Sequence, residues 1–434
     1  MATRPLPPPL RGRVATATEA LGVLLKFEGP ADGVLTGFYR HRRHMGGQDR
    51  AFVSEVVYTV MRRLRTLEHV AGARDPRRLV LAALTLFLGV PPAELGDSAE
   101  ERTWLRSLRL PELTGPVGFD WPDWLAERLV GSVPEAEWPA LAHALQQPPP
   151  LDLRFNPLKA EPGVPLREAR DTFLKSFKAL PLEATPTPWS PLGLRVHQRF
   201  TLQRHPLVQE GWLEIQDEGS QLLSLLVEAQ AGERVVDFCA GAGGKTLVLG
   251  ALMQSKGRLL ALDVLEKRLE RLRIRTNRAG LSNVQTHAIE SENDAWLKRH
   301  VGKFDRVLVD APCSGLGTLR RNPDMKWRVT PAEVDRMVGL QASILRSAAR
   351  LVRPGGRLVY GTCSLLAAEN GDQVDAFLQA HEDFEEADCE EILARQGALL
   401  STGRRLALVP HRHQTDGFFA AVLTRKVSSE VATA

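Results

Sequence analysis

Residues 234–246 read RVVDFCAGAGGKT, and the reading of this stretch decides the fold. A short apolar run ends on Asp237, a small-residue turn follows over Cys239, Ala240, Gly241, Ala242, Gly243 and Gly244, and Lys245-Thr246 open an apolar helical pattern. A strand that passes through glycines into a helix can cradle a nucleotide-like ligand, because glycine admits close backbone approach and the first helical N–H groups are free. Two phosphate-binding versions are disfavoured: a Walker A loop needs glycine where Cys239 stands, and a dinucleotide fingerprint needs it where Thr246 stands. Asp263 ends the next apolar run, 26 residues after Asp237. A carboxylate there can accept both ribose hydroxyls of an adenosine-type cofactor, and a helix N-cap is its other reading.

Outward from this stretch, apolar runs at 234–237, 258–263, 283–288, 306–310 and 357–363 alternate with helical patterns. They predict parallel strands joined by crossover helices in an open α/β sheet. Thr330, Pro331 and Glu333 predict the start of the helix before the last strand, and Gly355-Gly356 its end. Ligands of such sheets bind at the carboxyl ends of the strands, so Asp237, Asp263, Asp310 and Cys363 are expected to converge on one crevice. The segments Val309-Asp310-Ala311-Pro312-Cys313-Ser314-Gly315 and Tyr360-Gly361-Thr362-Cys363-Ser364 bring two cysteines to that edge. A lone cysteine is ordinarily a small inert filler, whereas two at strand ends beside a carboxylate point to nucleophilic chemistry.

Upstream, apolar residues recur at helical spacing, as in Ala20, Leu21, Leu24, Leu25 and in Phe52, Val53, Val56, Val57, Val60, Met61. An all-helical region is expected from Ala15 to about Leu145. Ten of the 29 prolines fall between 145 and 195, which ends the helical run. A smaller mixed domain follows, with a strand at 151–155, a helix at 166–174 and strands after Pro191. The expected domains are 1–145, 146–228 and 229–428. Residues 1–80 carry 14 Lys and Arg against 7 Asp and Glu, although the whole chain is only +4. That asymmetry suits a polyanionic partner, or a solvated basic face. The longest mostly apolar stretch, Leu79 to Val90, has 12 residues against the roughly 20 a membrane helix needs, so no membrane association is expected. The opening MATRPLPPPLRGR lacks an apolar signal region, so a cytoplasmic location is expected. The four cysteines show no zinc-site spacing, so neither metal nor disulfides are expected.

Taken together and in order, Asp237 to Thr246, Asp310-Ala311-Pro312-Cys313-Ser314 and Thr362-Cys363-Ser364 resemble the S-adenosylmethionine-dependent cytosine-5 RNA methyltransferases. Within them, the chain is most similar to the bacterial 16S rRNA methyltransferase B group (RsmB). Arg320-Arg321-Asn322-Pro323-Asp324, Lys326-Trp327 and Asp416-Gly417-Phe418-Phe419 also look like family sequence, and the helical region resembles the family's NusB-like RNA-binding domain. The resemblance implies a multidomain protein: an all-α NusB-like domain, a small α+β domain and an α/β Rossmann-like methyltransferase domain. It implies S-adenosylmethionine as cofactor, held by residues 239–245, Asp263, Arg268, Glu290 and Asp310. The implied partner is RNA, 16S rRNA free or in an assembling small subunit. Two departures stand out. The family loop usually carries Ala and Pro where Gly241 and Ala242 stand, which puts loop rigidity in question, and its acidic adenine-side contact is commonly Asp, where Glu290 is nearest here.

Carbon 5 of cytosine is too weak a nucleophile to attack a methylsulfonium directly, so a thiolate must first add to carbon 6. The resemblance assigns that attack to Cys363, ring hydrogen bonding or protonation to Asp310 and assistance in release to Cys313. Lys245 can position Asp310 or favour a thiolate, or be an ordinary solvated lysine. The base must be unstacked to react, and Arg320, Arg321, Lys326, Trp327 and Arg328 form a basic aromatic loop expected to bind phosphates and stack a base, or to be plain exposed surface. Arg40-His41-Arg42-Arg43-His44 is a second candidate RNA contact. The rivals are a cytosine-5 methyltransferase of another RNA or of DNA, with Cys313 attacking in the DNA case, a non-enzymatic NusB-like RNA-binding factor, and a dehydrogenase for which no residue indicates hydride chemistry.

Overall fold

A computed structural model describes residues 8–176, 183–197 and 204–427. The first seven residues of the proline-rich start, part of the stretch after Pro191 and the expected limit at 428 lie outside the described residues. The chain divides into two compact units, one of residues 1–148 with 318–331 and one of 149–317 with 332–434.

Every regular element described in the first unit is helical. Its core gathers Ala20, Leu21 and Leu24 from the helix Pro8–Leu24, Val53, Val56, Val57, Val60 and Met61 from Gly47–Arg62, and Leu79 to Leu84 from Pro76–Leu86. These are the apolar stripes that helical spacing requires. The apolar run that starts at Leu79 is therefore a buried helix, capped by Asp75 with Pro76 in its first turn. Among the described residues no helix is long and apolar enough to cross a membrane.

Segment 318–331 corrects one expectation. Its short helix, Met325–Arg328, is built into the helical unit. Lys326 is buried and donates from Nζ to the Arg62 carbonyl at 2.9 Å, and Trp327 donates from Nε1 to the Met61 carbonyl at 2.8 Å while packing on the core. Arg62 donates to the buried Arg320 at its carbonyl (2.9 Å), and Arg328 pairs with Asp324, which also accepts from Ala31 N. Lys326 and Trp327 thus satisfy backbone acceptors inside the protein, and their heads are not presented to phosphates. Arg321 is half-buried.

The second unit holds two sheets. The smaller, antiparallel sheet runs β2-β3-β1-β4, from β1 (Leu151–Phe155), β2 (Ala184–Pro186), β3 (Gly193–Val196) and β4 (Leu213–Ile215). The helix Leu166–Ser176 packs Ala169 and Phe173 on Leu153, Phe155, Leu194 and Leu213. Strand β2 was not expected from the sequence; it is a three-residue edge strand that ends on a proline, which an edge tolerates.

The larger sheet contains β5 (Arg234–Asp237), β6 (Arg258–Asp263), β7 (Val284–Ala288), β8 (Phe304–Asp310), β9 (Val352–Thr362), β10 (Phe384–Ala387), β11 (Leu406–Leu408) and β12 (Phe418–Arg425). Its order is β10-β12-β9-β8-β5-β6-β7, with β11 paired to β12. Strands β5 to β9 pair in parallel, and β10, β11 and β12 add antiparallel pairings, so the sheet is mixed. Alternate residues enter different cores: Val235, Leu259, Leu308 and Val359 on one face, Val236, Leu260, Val307, Val309 and Leu358 on the other. A strand buried on both faces reads as a continuous apolar run, as these do. Gly355 and Gly356 do not end the preceding helix, which spans Pro331–Ala349; they lie inside β9, where the pairing with β8 shifts register between Phe304 and Arg306. Gly355 takes φ +72° there, as a bulge favours.

Burial pushes the Lys326 ammonium down from its ordinary 10.5 to about 8, with Asp120 opposing the shift and Arg62 and Arg63 adding to it. Between those values the unfolded chain binds more protons than the folded one, so stability rises with pH by up to about 1.4 kcal/mol per unit. Urea unfolding of wild type and Lys326→Met between pH 7.5 and 10 should show this rise in the wild type and a smaller one in the variant.

Candidate active site

Parallel pairing of β5, β6, β8 and β9 brings Asp237, Asp263, Asp310 and Cys363 to one sheet edge. In register, Asp237 lies opposite Leu308 and Asp310 opposite Gly361. The loop after β5 is tied to its neighbours by Phe238 N donating to the Leu308 carbonyl and Ala240 N donating to the Leu262 carbonyl, both at 2.8 Å. Gly243 sits at φ +88°, and a Cβ there would lie 2.6 Å from the Leu272 side chain, so this position requires glycine. Open space faces Gly241.

The Asp263 carboxylate accepts Gly241 N at 2.9 Å on one oxygen and Leu265 N at 2.8 Å on the other. It thus ties the loop after β5 to the turn after β6, while the N-cap position of the next helix is Leu265 and not Asp263. Each oxygen retains a second lone pair. Arg268 is largely exposed, 4.0 Å from Asp263, and Glu290 is exposed just past β7. Asp237 is buried, accepts Thr246 Oγ1 at 2.7 Å on Oδ2 and leaves Oδ1 without a hydrogen bond. Burial, with smaller contributions from Asp310 and Asp263, pushes it up to about 7 against the Thr246 hydrogen bond and Lys245. Burial first, then neighbouring carboxylates, push the Cys239 thiol up, so it stays protonated.

Lys245 is no solvated lysine. It is buried and donates to Asp310 Oδ2 at 2.6 Å, and the pair holds the ammonium protonated although burial opposes it. It is therefore committed to a carboxylate and not offered to a phosphate. A crevice lined by Asp237, Asp263 and Asp310, with open space over Gly241, fits a cationic sulfonium nucleoside with ribose hydroxyls better than a pyrophosphate.

The cysteines meet: Cys313 Sγ and Cys363 Sγ are 3.4 Å apart. The hydrogen bond with Cys363 comes first, followed by burial and the charges of Cys363 and Glu369, in pushing the Cys313 thiol well up. The Lys245 cation interacts electrostatically with Cys363. Around this pair the structure adds residues that the sequence reading missed. Glu369 is wholly buried between the two cysteine loops, and Gln341 reaches both it and the Pro312 carbonyl. Arg154 on β1 donates from Nη1 to the Gly244 carbonyl at 2.8 Å and to Gln216 at 2.6 Å, while Arg275 donates to the Ala242 carbonyl at 2.6 Å. The two arginines brace the loop at the point where Gly241-Ala242 departs from the family pattern. Local sequence offers little signal for Arg154, which alternates with Asp152 among the apolar residues of β1.

Arg154→Met removes a buried, charge-assisted hydrogen bond from the loop, a loss of about 1.5 to 3 kcal/mol. Calorimetry should show S-adenosylmethionine binding about tenfold or more weaker, with Cys313 and Cys363 both still counted as unoxidised cysteines by mass spectrometry.

Residues 224–424 match the family model for 16S rRNA methyltransferase RsmB/F, and residues 121–203 match that for its ferredoxin-like domain. The probable ribosomal RNA small subunit methyltransferase B of Synechocystis sp. is 34% identical over 417 residues, covering 87% of this chain and 91% of the relative. The ribosomal RNA small subunit methyltransferase B of Pectobacterium atrosepticum is 29% identical over 431 residues, covering 89% and 92%. The crystal structure of a methyltransferase homologue from Pyrococcus horikoshii superimposes with a TM-score of 0.58 at 27% identity, covering 71% of this chain and 97% of that one. With the cofactor loop, the paired cysteines and the Lys245–Asp310 contact in place, the chain belongs to the 16S rRNA methyltransferase RsmB/F family of S-adenosylmethionine-dependent RNA methyltransferases.

Proposed function

We propose that this chain methylates carbon 5 of a cytosine in 16S rRNA through a covalent cysteine–RNA intermediate, with Cys363 as the nucleophile. The observation that carries this reading is the 3.4 Å approach of Cys313 and Cys363 beside Asp310 and Lys245. S-adenosylmethionine, when bound, supplies an electrophilic methyl group; residues 239–245, Asp263 and Asp310 would hold it.

The two cysteines divide the work by their surroundings. The Lys245 cation interacts electrostatically with Cys363, whereas Cys313 is kept as a thiol by its hydrogen bond, its burial and the negative Glu369. Cys363 therefore adds to carbon 6, and Asp310 meets the charge that builds on the ring nitrogens. Once carbon 5 carries its methyl group, its proton passes to water, the C–H electron pair forms the C5–C6 double bond and the C6–S pair returns to Cys363; Cys313, a thiol within hydrogen-bond reach of that sulfur, donates to it as it leaves and so assists release.

The substrate's bases must be unstacked to reach this edge, which suits single-stranded or loop rRNA. The helical unit, read as NusB-like, supplies an RNA contact through exposed Arg40, His41, Arg43 and His44; Arg42 is engaged with Glu19 and lies over Phe38.

Incubation with labelled S-adenosylmethionine and 16S rRNA, followed by mapping of 5-methylcytosine, tests the reaction. Denaturing gels test the cysteine roles. Cys363→Ala should abolish methylation and form no adduct, whereas Cys313→Ala should attack and then release slowly, accumulating a protein–RNA complex. The reverse pattern would make Cys313 the nucleophile, as in the DNA-type arrangement.

A further inference from the structure

We propose that Glu369 is a positioning residue that sets the distance between the two active cysteines. The inference rests on the reading of Cys313 and Cys363 as the reacting pair. Glu369 follows β9 in sequence and makes no contact with either sulfur by hydrogen bond. Its carboxylate instead takes the residue after each cysteine: Oε1 accepts Ser314 N at 2.8 Å, and Oε2 accepts Ser314 Oγ and Ser364 Oγ, each at 2.5 Å.

The clamp is anchored on further sides. Gln341, on the helix Pro331–Ala349, donates from Nε2 to Glu369 Oε1 at 3.0 Å and to the Pro312 carbonyl at 2.9 Å, so it holds the carboxylate and the Cys313 loop together. Tyr360 Oη donates to the Glu369 carbonyl at 2.6 Å. The neighbouring Asn370 donates to the Ser364 carbonyl at 3.0 Å and accepts from Thr362 Oγ1 at 2.5 Å, fixing both residues that flank Cys363. Glu369 is fully buried, and a buried carboxylate is retained at such a place only with its hydrogen bonds made. Here they are made to the two loops whose separation the chemistry depends on. Loops joined by one rigid acceptor cannot drift apart independently, and a displacement of about 1 Å between reacting groups can cost about a hundredfold in rate.

Glu369→Gln, in the full-length chain, keeps the shape but replaces one acceptor oxygen by an amide that cannot accept from serine. The probe is diamide, which takes two electrons and two protons from Cys313 and Cys363 to give their disulfide and the hydrazine. The rate of closure, followed by mass spectrometry without RNA, reads the sulfur–sulfur geometry and does not depend on which cysteine attacks. Closure should slow about tenfold or more, and kcat on 16S rRNA should fall similarly, while KM and S-adenosylmethionine affinity stay within about twofold. Loss of the negative charge alone would ease thiol ionisation and speed closure, so slowing reports lost geometry. Closure at the wild-type rate or faster would overturn the proposal, whatever the adduct gels show for the cysteine roles. If Glu369→Gln fails to fold, Ser314→Ala and Ser364→Ala, each removing one arm, must each slow closure; a wild-type rate in either would equally overturn it.

Discussion

The Lys245 ammonium, buried against Asp310 at 2.6 Å, is the contact on which the rest of the site depends. A buried cation must be matched, and once one partner is removed the other is left uncompensated in a poorly solvated place. Lys245 opens the helix behind the glycine-rich loop and Asp310 ends β8, so a single ion pair joins the cofactor side of the edge to the catalytic side. Pairing of β5 directly with β8 makes this possible, because it places the carboxyl ends of both strands side by side. The same pair places a positive charge near Cys363, while Glu369 places a negative one near Cys313. The charged surroundings of two chemically identical side chains thus differ.

The small antiparallel sheet contributes directly to that edge. Arg154 is entirely buried on β1 and holds the Gly244 carbonyl, and Glu214 on β4 pairs with Arg275 and Arg278, the former of which also holds the Ala242 carbonyl. Burial draws the Arg154 guanidinium down to about 10, still far above neutrality, so it remains a full cation. A glycine-rich loop is conformationally permissive, and fixing it needs hydrogen bonds from outside the loop. The ferredoxin-like module and Arg275 therefore stiffen the glycine-rich loop.

Basic residues in this chain serve two different ends. In the segment 318–331, Lys326 and Arg320 are buried, and Lys326 donates to the Arg62 carbonyl inside the helical unit. At 40–44 most of the basic side chains remain exposed. The basic character of both segments hides this difference, because a guanidinium or ammonium can be either a solvated charge or a buried donor, depending on what packs over its stem.

Local periodicity makes the five parallel strands of the α/β sheet legible and, with the general rule that parallel strands share a carboxyl edge, the convergence of Asp237, Asp263, Asp310 and Cys363; the antiparallel strands β10 and β11 were not expected. The helical stripes around Leu21, Val57 and Leu81 were legible for the same reason. What only the tertiary structure decided are contacts between residues far apart in the chain. Arg154 and Gly244 are 90 positions apart, Glu369 and Ser314 are 55 apart, and Lys326 and Arg62 are 264 apart. No local pattern encodes which buried carbonyl or hydroxyl a long polar side chain will meet, because that partner exists only once the elements have docked. The glycines at 355 and 356 show the same limit at short range: a helix stop and a strand bulge use the same residues, and only the register of β8 against β9 distinguishes them.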